Sequence, residues 1–171
     1  MTGTITYIKG IPPSAEKYSQ PDQALGPPDY INDYQDPPGY ITLGCGGTLT
    51  VKFVNNALVD VDGPDLYVFE IGPDVESTDL SISQDGINWI KIGKIAGGTA
   101  HIDIKNYITP GGVFHYVRLT DLQSACQGGY PGADIDAVGA IGSAVRITLK
   151  ASVLFDFDQY TLKPEAQKEL H

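Results

Sequence analysis

Short apolar runs of strand character, separated by closely spaced glycine and proline residues, make up most of this chain. The 171 residues include 20 Gly and 12 Pro, so turns recur along its whole length. Ten runs are rich in β-branched and aromatic residues or alternate apolar with polar positions, which is typical of strands. They read TITYIK, YITLG, TLTVKFV, DLYVFEI, DLSISQDG, NWIKIGKI, HIDIKNYI, FHYVRLTDL, DIDAVGAIG and AVRITLKA. The pattern predicts an all-β domain folded as a β-sandwich or jelly roll.

Two segments between these runs allow more specific predictions. In SISQDGINWIKIG, Asp85 and Gly86 are turn residues of a hairpin, and Trp89 is predicted to pack inward. Between Ser14 and Tyr40 the prolines exclude a long helix or a central strand, so we expect a long loop in which PDQAL forms one helical turn.

The charge of the chain is strongly negative, with a formal net value of −10. Sixteen of the 21 acidic residues are Asp, which favours turns and hard-cation sites, and only two residues are Arg. Such a chain has no basic patch to meet phosphates, so a nucleic-acid partner is not expected. No run of 18 apolar residues predicts a transmembrane helix, and the first residues lack the basic start and apolar core of a signal peptide.

One aspartate cluster lies in VDVDGPD, immediately before a strand-like run. Asp60, Asp62 and Asp65 fall within six residues, and like charges at that spacing repel each other unless a cation lies among them. Carboxylates in alternation around a Gly-Pro turn are suitable ligands for calcium, although a full EF-hand loop is absent. The alternative is a set of solvated aspartates that accept hydrogen bonds from their own backbone. The run ends on Glu70, for which Lys52 or Arg118 is the predicted partner.

A second cluster lies in GADIDAV, where Asp134 and Asp136 alternate around Ile135 and share one face of a strand. Two such carboxylates need a cation or several hydrogen-bond donors, so a metal role is predicted. The alternative is that one caps the preceding turn and the other faces water.

The proline-rich loop holds a third group of candidates. Its aspartates, among them Asp22 and Asp29, are interleaved with Tyr30 and Tyr34. Exposed aromatic rings beside polar acceptors can stack on a sugar, so Tyr30 and Tyr34 are predicted ligand-binding residues. The alternative is that these tyrosines only pack the loop against the domain.

Signatures of catalysis are missing from the sequence. It contains no Gly-x-Ser-x-Gly elbow, no His-Glu-x-x-His helix and no phosphate-binding glycine loop. We therefore expect a protein that is not an enzyme, and the alternative is a hydrolase that uses a calcium-positioned carboxylate.

The two cysteines, Cys45 and Cys126, are too few for a four-thiolate zinc site. They could form one disulfide that closes a loop of about 80 residues, or remain two half-buried thiols.

The last segment, residues 151–171, differs in character from the rest. Its stretch VLFDFDQYTLKPEAQKEL resembles the first strand and first helix of an OmpA-like peptidoglycan-binding domain. The later segments that hold the peptide of peptidoglycan in such domains are missing, so this chain itself is not expected to bind peptidoglycan. The resemblance implies a parent protein anchored in a Gram-negative cell envelope, in the periplasm or at the outer membrane and cell surface, which presents residues 1–150 as its binding module.

The upstream module resembles the calcium-stabilised jelly rolls of the galactose-binding or discoidin-like kind, in a bacterial cell-surface variety. The resemblance rests on the order of ALGPPD, ITLGCGGTLTVKF, DGPDLYVFE, SISQDGINW, YVRLTD and GADIDAVGAI. It implies a calcium ion where the loop around Asp22 and Asp29 meets Asp134 and Asp136, with the VDVDGPD loop as part of that site or as a second one. Cys45 departs from the small apolar residue expected at its position, which favours a disulfide with Cys126.

Together these observations predict a jelly-roll β-sandwich with a short C-terminal strand–helix extension. Its predicted function is that of a non-catalytic, calcium-binding surface module that binds carbohydrate. The alternative is a module for adhesion to an envelope or surface protein without sugar binding.

Overall fold

The fold was obtained as a computed structural model, which describes residues 2–32, 34–72 and 76–145. These residues form eleven strands and two short 3₁₀ turns, so the all-β prediction is confirmed. The strands are β1 (Thr2–Ile8), β2 (Ile41–Thr42), β3 (Thr48–Phe53), β4 (Asn56–Leu58), β5 (Leu66–Glu70), β6 (Thr78–Ser83), β7 (Trp89–Ile95), β8 (Thr99–Ile102), β9 (Tyr116–Asp121), β10 (Asp134–Ala140) and β11 (Ser143–Val145).

Two antiparallel sheets and a small ribbon contain all of these strands. Sheet A has the order β1-β3-β9-β6-β7, sheet B has the order β2-β10-β5-β8, and β11 pairs with β4. Neighbours in the sheets are mostly distant in sequence, as in a jelly roll. Antiparallel pairing places the loops that follow β1, β2, β5, β7 and β9 at one end of the sandwich, which we call the disulfide end. The loops that follow β3, β4, β6, β8 and β10 lie at the other end, which we call the aspartate end.

The core lies between the two sheets and is built from alternate residues of their strands. Leu49 and Val51 on β3 face Leu66 and Val68 on β5, and all four are almost fully buried. Burial of each such side chain contributes about 1.5–3 kcal/mol to the free energy of unfolding. The alternate positions of the sheet A strands therefore point outward, away from the core.

The predicted hairpin between β6 and β7 is present, but Trp89 does not pack inward. The Asp85 carboxylate accepts hydrogen bonds from the backbone N–H groups of Ile87 and Asn88, both at 2.8 Å, and so fixes the turn. Because Ile90 packs against the core, the side chain of Trp89 projects from the outer face of sheet A. The prediction for Trp89 was wrong because it relied on hydrophobicity and ignored the alternation of the strand.

The long loop from residue 9 to residue 40 is anchored through its two 3₁₀ turns, Glu16–Tyr18 and Pro21–Ala24. The second turn confirms the predicted helical turn, and it contacts β1, β2 and β10. Ala24 is fully buried in the core cluster. The loop is therefore held against the sandwich at its middle and not only at its ends.

A disulfide between Cys45 and Cys126 joins the β2–β3 turn to the β9–β10 loop at the disulfide end. Backbone hydrogen bonds reinforce this junction, from Leu43 N–H to the Ala133 carbonyl at 2.9 Å and from Asp121 N–H to the Gly47 carbonyl at 2.9 Å. Several loops at this end are thus fixed relative to one another.

The predicted C-terminal extension, residues 151–171, lies outside the described residues. No helix among the described residues combines the length and the hydrophobicity that a membrane-spanning helix needs.

Candidate functional site: an aromatic pocket at the disulfide end

A pocket of about 300 Å³ opens at the disulfide end of the sandwich. We call it the tyrosine pocket, because four of its lining residues are tyrosines. It is lined by Tyr18, Tyr30, Tyr40, Ile71, Gly72, Tyr130 and Asp134. These residues come from the long loop, from the start of the β5–β6 loop, from the β9–β10 loop and from the first position of β10, so the pocket exists only in the folded chain.

The four tyrosine rings contact one another in a chain. Tyr18 stacks on Tyr40 with ring centroids 5.6 Å apart, and Tyr40 meets Tyr30 edge to face at 5.6 Å. Tyr130 meets Tyr18 edge to face at 4.8 Å, with its hydroxyl 3.4 Å from that of Tyr18. Tyr18 and Tyr40 are buried and Tyr130 is 50% exposed. The rings therefore support one another, and Tyr130 forms the accessible wall.

Asp134 supplies a carboxyl group to this aromatic surface. It is the first residue of β10, where it pairs with Thr42 of β2, and it accepts a hydrogen bond from the Thr42 hydroxyl. Burial raises the pKa of Asp134 to about 7, despite the opposing effect of that hydrogen bond. Near neutral pH the group can therefore act either as a hydrogen-bond donor or as an acceptor.

Two further carboxyl groups, those of Glu70 and Glu76, interact electrostatically with one another and with Asp134. Glu70 ends β5, is buried, and accepts a hydrogen bond from the Glu76 N–H at 2.9 Å. Its pKa is raised to about 8, first by burial and then by the negative charge of Glu76. The predicted pairing of Glu70 with Lys52 or Arg118 was wrong, because Glu70 lies in sheet B whereas both cations point outward from sheet A.

The structure separates the two predicted sugar-stacking tyrosines. Tyr30 lines the tyrosine pocket, whereas Tyr34 is 96% exposed and does not line it. Sequence reasoning missed Tyr18 and Tyr130 as pocket residues. Tyr130 carried the only local signal, an aromatic residue in the glycine-rich stretch QGGYPG, while Tyr18 is brought in by the path of the long loop.

Of the aspartates predicted to meet where the long loop contacts β10, Asp29 and Asp136 are joined, but through the Asp29 backbone and not through its carboxylate. The Asp136 carboxylate is buried and accepts the Asp29 N–H at 3.0 Å. Burial raises the pKa of Asp136, and the backbone donors of Asp29 and Tyr30 oppose this shift. Asp29 itself and Asp22 have exposed side chains. Asp136 thus fixes the loop to β10 through hydrogen bonds to its backbone.

The aspartate end brings together three carboxylates from two loops. One oxygen each of Asp60, Asp65 and Asp103 lies within 4.8 Å of the others. Asp65 is fully buried and accepts the N–H of Val61 at 2.8 Å and the N–H of Ile104 at 2.9 Å. Asp62, in the same turn, is exposed. Asp103 was not foreseen, because it comes from the β8–β9 loop, 38 positions after Asp65 in the sequence.

Asp121 is a second unforeseen residue, beside the disulfide. It is 2% exposed, and its carboxylate accepts three backbone N–H groups, from Gly46 at 2.8 Å, Gln123 at 2.9 Å and Ala133 at 3.1 Å. These bonds join the two loops that the disulfide also connects. Asp121 therefore has a structural role: it fixes the β2–β3 and β9–β10 loops relative to each other.

Solved structures share this fold, although no protein-family model matches the chain and no curated protein matches its sequence. The family 32 carbohydrate-binding module of EndoD from Streptococcus pneumoniae aligns with a TM-score of 0.53 at 12% identity, over 80% of this chain and 92% of that one. The C-terminal domain of a chitobiase from Bacteroides fragilis aligns with a TM-score of 0.52 at 11% identity, over 85% and 95%. The module CBM32-3 of a family 31 glycoside hydrolase from Clostridium perfringens gives 0.50 at 11% identity, over 80% and 88%. These likenesses confirm the jelly-roll β-sandwich.

Proposed function

We propose that this chain is a non-catalytic carbohydrate-binding module whose ligand occupies the tyrosine pocket. The observation that carries the proposal is the set of four mutually supporting tyrosines around a pocket of about 300 Å³ with Asp134 at its edge. The fold supports it, because the solved structures with similar folds include modules described as carbohydrate-binding.

The chemistry of the pocket suits a sugar. A pyranose ring has apolar faces that stack on aromatic rings, and an equatorial belt of hydroxyl groups that needs a few well-placed polar partners. Ligand pockets in general combine mainly apolar walls with a small number of such polar groups. Tyr130 offers an accessible ring, and the carboxyl group of Asp134 can donate or accept at neutral pH. The volume lies at the lower end of the usual range for small-molecule pockets, which favours a short segment of a glycan.

The carboxyl groups do not form the pair that a glycosidase uses. Such an enzyme needs one carboxylic acid and one ionised carboxylate, held apart by opposite environments. Here burial raises the pKa of both Asp134 and Glu70, to about 7 and about 8. Both pKa values are shifted in the same direction, toward the neutral form, so the environments of the two groups are not the opposite ones that a glycosidase pair has.

The test is a glycan array followed by calorimetry with the strongest binder. Tyr130→Ala should weaken binding at least about tenfold, since loss of a central aromatic contact commonly costs more than 1.4 kcal/mol. Tyr107→Ala is the matched control, because Tyr107 is 47% exposed but lies at the aspartate end. Binding that survives Tyr130→Ala unchanged would place the sugar elsewhere, and glycan hydrolysis abolished by Asp134→Asn would establish an enzyme.

The second candidate is a module for protein adhesion. It is favoured by two exposed apolar side chains three positions apart on the long loop, Ile31 at 77% and Tyr34 at 96%. Exposed apolar groups of this kind are common at protein-binding surfaces. An array without any bound glycan, together with capture of an envelope protein that Ile31→Ser/Tyr34→Ser abolishes, would support this alternative.

We further propose that calcium binds at the aspartate end, between Asp60, Asp65 and Asp103. Carboxylate oxygens are the ligands that calcium prefers, and these three already lie within 4.8 Å of one another. Buried Asp65 keeps its position through two backbone donors, so one of the three proposed ligands is fixed in place by the fold.

Attachment to a bacterial cell envelope is also part of the proposal. It rests on the resemblance of residues 153–170 to the start of an OmpA-like domain. Fractionation of cells that express the full parent protein should recover it with the envelope, and recovery in the cytoplasm would contradict this assignment.

A further inference from the structure

The outer face of sheet A collects positive charge on a protein that is strongly acidic, so the expectation that the chain has no basic patch was wrong. The described ranges contain seven Lys and Arg residues, of which Lys9, Lys17 and Lys105 lie in loops. The other four occur on the strands of sheet A, at positions that alternate with core residues and so point outward. We call this surface the cationic face; it comprises Lys52, Trp89, Lys91, Lys94, Tyr116 and Arg118.

Acidic groups are scarce on this surface. Among the outward positions of the described sheet A strands, Asp79 is the one acid, and it pairs with Lys91 at 3.0 Å. Four positive charges against one negative charge leave a local excess of three, on a chain whose net charge is −10. The distribution of charge is therefore sharply asymmetric, which favours an anionic partner at this face.

Two of the cations are held against aromatic rings. The guanidinium carbon of Arg118 lies 3.7 Å from the ring centroid of Trp89, and the Lys52 Nζ lies 5.4 Å from that of Tyr116. Within the described part of the chain neither cation forms an ion pair with a carboxylate. A guanidinium stacked in this way is restrained in orientation and keeps its N–H edge available for bidentate contact with a carboxylate.

The spacing of the cations suits an extended ligand. Strands β3, β9, β6 and β7 are consecutive neighbours, so the strands that carry Lys52 and Lys91 lie about 14 Å apart at about 4.8 Å per strand. Lys52 is in register with Trp89, so Lys91 is offset from it by two residues along β7. On β6, between these two strands, the outward residue Ser81 is short, carries a hydroxyl group and is partly exposed. A chain molecule that crosses the sheet can thus meet cations on β3, β9 and β7.

We propose that the cationic face is a second binding surface, for a polysaccharide that carries carboxylate groups, such as a chain of uronic acid residues. Such a polymer carries at most one charge per ring, and its rings and hydroxyl groups can contact Tyr116 and Ser81. A nucleic acid is disfavoured, because its dense phosphate charge would be repelled by the acidic remainder of the protein.

The test is calorimetry of the whole chain with polygalacturonate at low ionic strength, with neutral dextran as the comparison. We expect polygalacturonate to bind, dextran not to bind at this face, and added salt to weaken the interaction. Lys52→Gln/Arg118→Gln should reduce the affinity at least about tenfold. Lys91→Gln/Lys94→Gln leaves the contact between Arg118 and Trp89 in place and should also reduce the affinity. This second variant provides the test if the first one disturbs folding.

Three outcomes would overturn the proposal. The first is no binding of polygalacturonate by the unaltered chain, and the second is an equal loss of affinity in the loop control Lys105→Gln. The third is single-stranded DNA bound as tightly as polygalacturonate, which would mark a general polyanion surface. The Tyr130→Ala variant should retain polygalacturonate binding, so a failure here is distinguishable from a failure of the tyrosine pocket.

Discussion

Asp121 shows how a single buried carboxylate can organise one end of a sandwich. Three backbone N–H groups from two loops converge on it, next to the disulfide. Asp121→Asn replaces one acceptor oxygen by an NH₂ group that meets donors, so we expect a loss of about 2–4 kcal/mol in the free energy of unfolding. Urea unfolding, monitored by the fluorescence of Trp89, measures the change.

The matched control is Asp79→Asn on the outer face of sheet A. Asp79 forms one surface ion pair, with Lys91, whose loss should cost less than about 1 kcal/mol. Equal losses in the free energy of unfolding for the two substitutions would show that the three hydrogen bonds of Asp121 stabilise the fold no more than a surface ion pair does.

Glu70 gives the protein a dependence of stability on pH. Its pKa rises from an ordinary value of 4.5 to about 8 in the folded chain. Between these values the folded chain holds a proton that the unfolded chain has lost, so stability falls as the pH rises through this window. Glu70→Gln should match the unaltered protein near pH 4 and exceed it by about 1–3 kcal/mol at pH 8. Urea unfolding at both pH values tests this.

Glu16→Gln serves as the control for that experiment. Glu16 is exposed, and a hydrogen bond from Lys9 lowers its pKa, so its replacement should bring no gain at pH 8. A Glu70→Gln variant less stable than the unaltered protein at pH 8 would show that the ionised carboxylate has a favourable partner.

At the scale of residues, the sequence patterns identified clusters of charged residues that are local in the chain, but not which distant residues lie beside them in the fold. VDVDGPD identified Asp60 and Asp65 as neighbours because they are local in the chain. Asp103 joins them through the pairing of β5 with β8, and Tyr18 joins Tyr130 across more than one hundred positions. Neither contact leaves a signal in a single sequence, because it depends on how distant strands and loops meet.

At the scale of elements, the disulfide is the main covalent link between distant segments. Cys45 and Cys126 are 81 positions apart, so their bond restricts the unfolded chain considerably. Replacement of both by Ala should lower the free energy of unfolding by about 3–5 kcal/mol, equivalent to a melting temperature about 10 °C lower. Differential scanning calorimetry of the two proteins tests this, and an unchanged melting temperature would contradict it.

Most strands could be predicted because their signal is local. Alternation of apolar and polar residues in β3, β5, β6 and β9 reflects one face packed on the core, and it identifies both the strand and its inward side. At β10 the register with β5 shifts between Ile135 and Ala137, so simple alternation does not describe how Asp136 is presented. Trp89 shows a related error, because its side chain was predicted to face the core from its hydrophobicity alone.

At the scale of the whole molecule, calcium should stabilise the fold if the aspartate end binds it. A ligand at 100 times its dissociation constant adds about 2.7 kcal/mol, which raises the melting temperature by about 5–10 °C for a protein of this size. Melting curves in calcium and in excess EGTA measure the shift. Asp103→Asn should abolish it, whereas Asp22→Asn, an exposed aspartate in the long loop, should leave it intact.

If Asp22→Asn abolishes the calcium-dependent rise in melting temperature and Asp103→Asn does not, the ion binds at the long loop. This is the position that the resemblance to calcium-stabilised jelly rolls implies. No shift in the unaltered protein, with no metal bound as purified, would leave the aspartates as acceptors for backbone N–H groups.

The chain has two surfaces of opposite character, and this division is the central feature of its proposed function. The tyrosine pocket at the disulfide end offers aromatic rings and a carboxyl group, and the cationic face of sheet A offers stacked cations. The first suits a sugar ring held at a loop end, and the second suits an extended anionic chain. Overall composition could not predict this division, because the net charge of −10 conceals the local excess of cations.

The most direct test of the carbohydrate-binding proposal is a titration of the ¹⁵N-labelled protein with the strongest glycan from the array, followed by NMR. We expect the backbone resonances that shift to cluster around the tyrosine pocket, at Tyr18, Tyr30, Ile71, Tyr130 and Asp134. Resonances of Asp60, Asp65 and Asp103 at the aspartate end should stay unchanged. Shifts confined to the aspartate end, or no saturable shift with any glycan, would contradict the proposed site and its function.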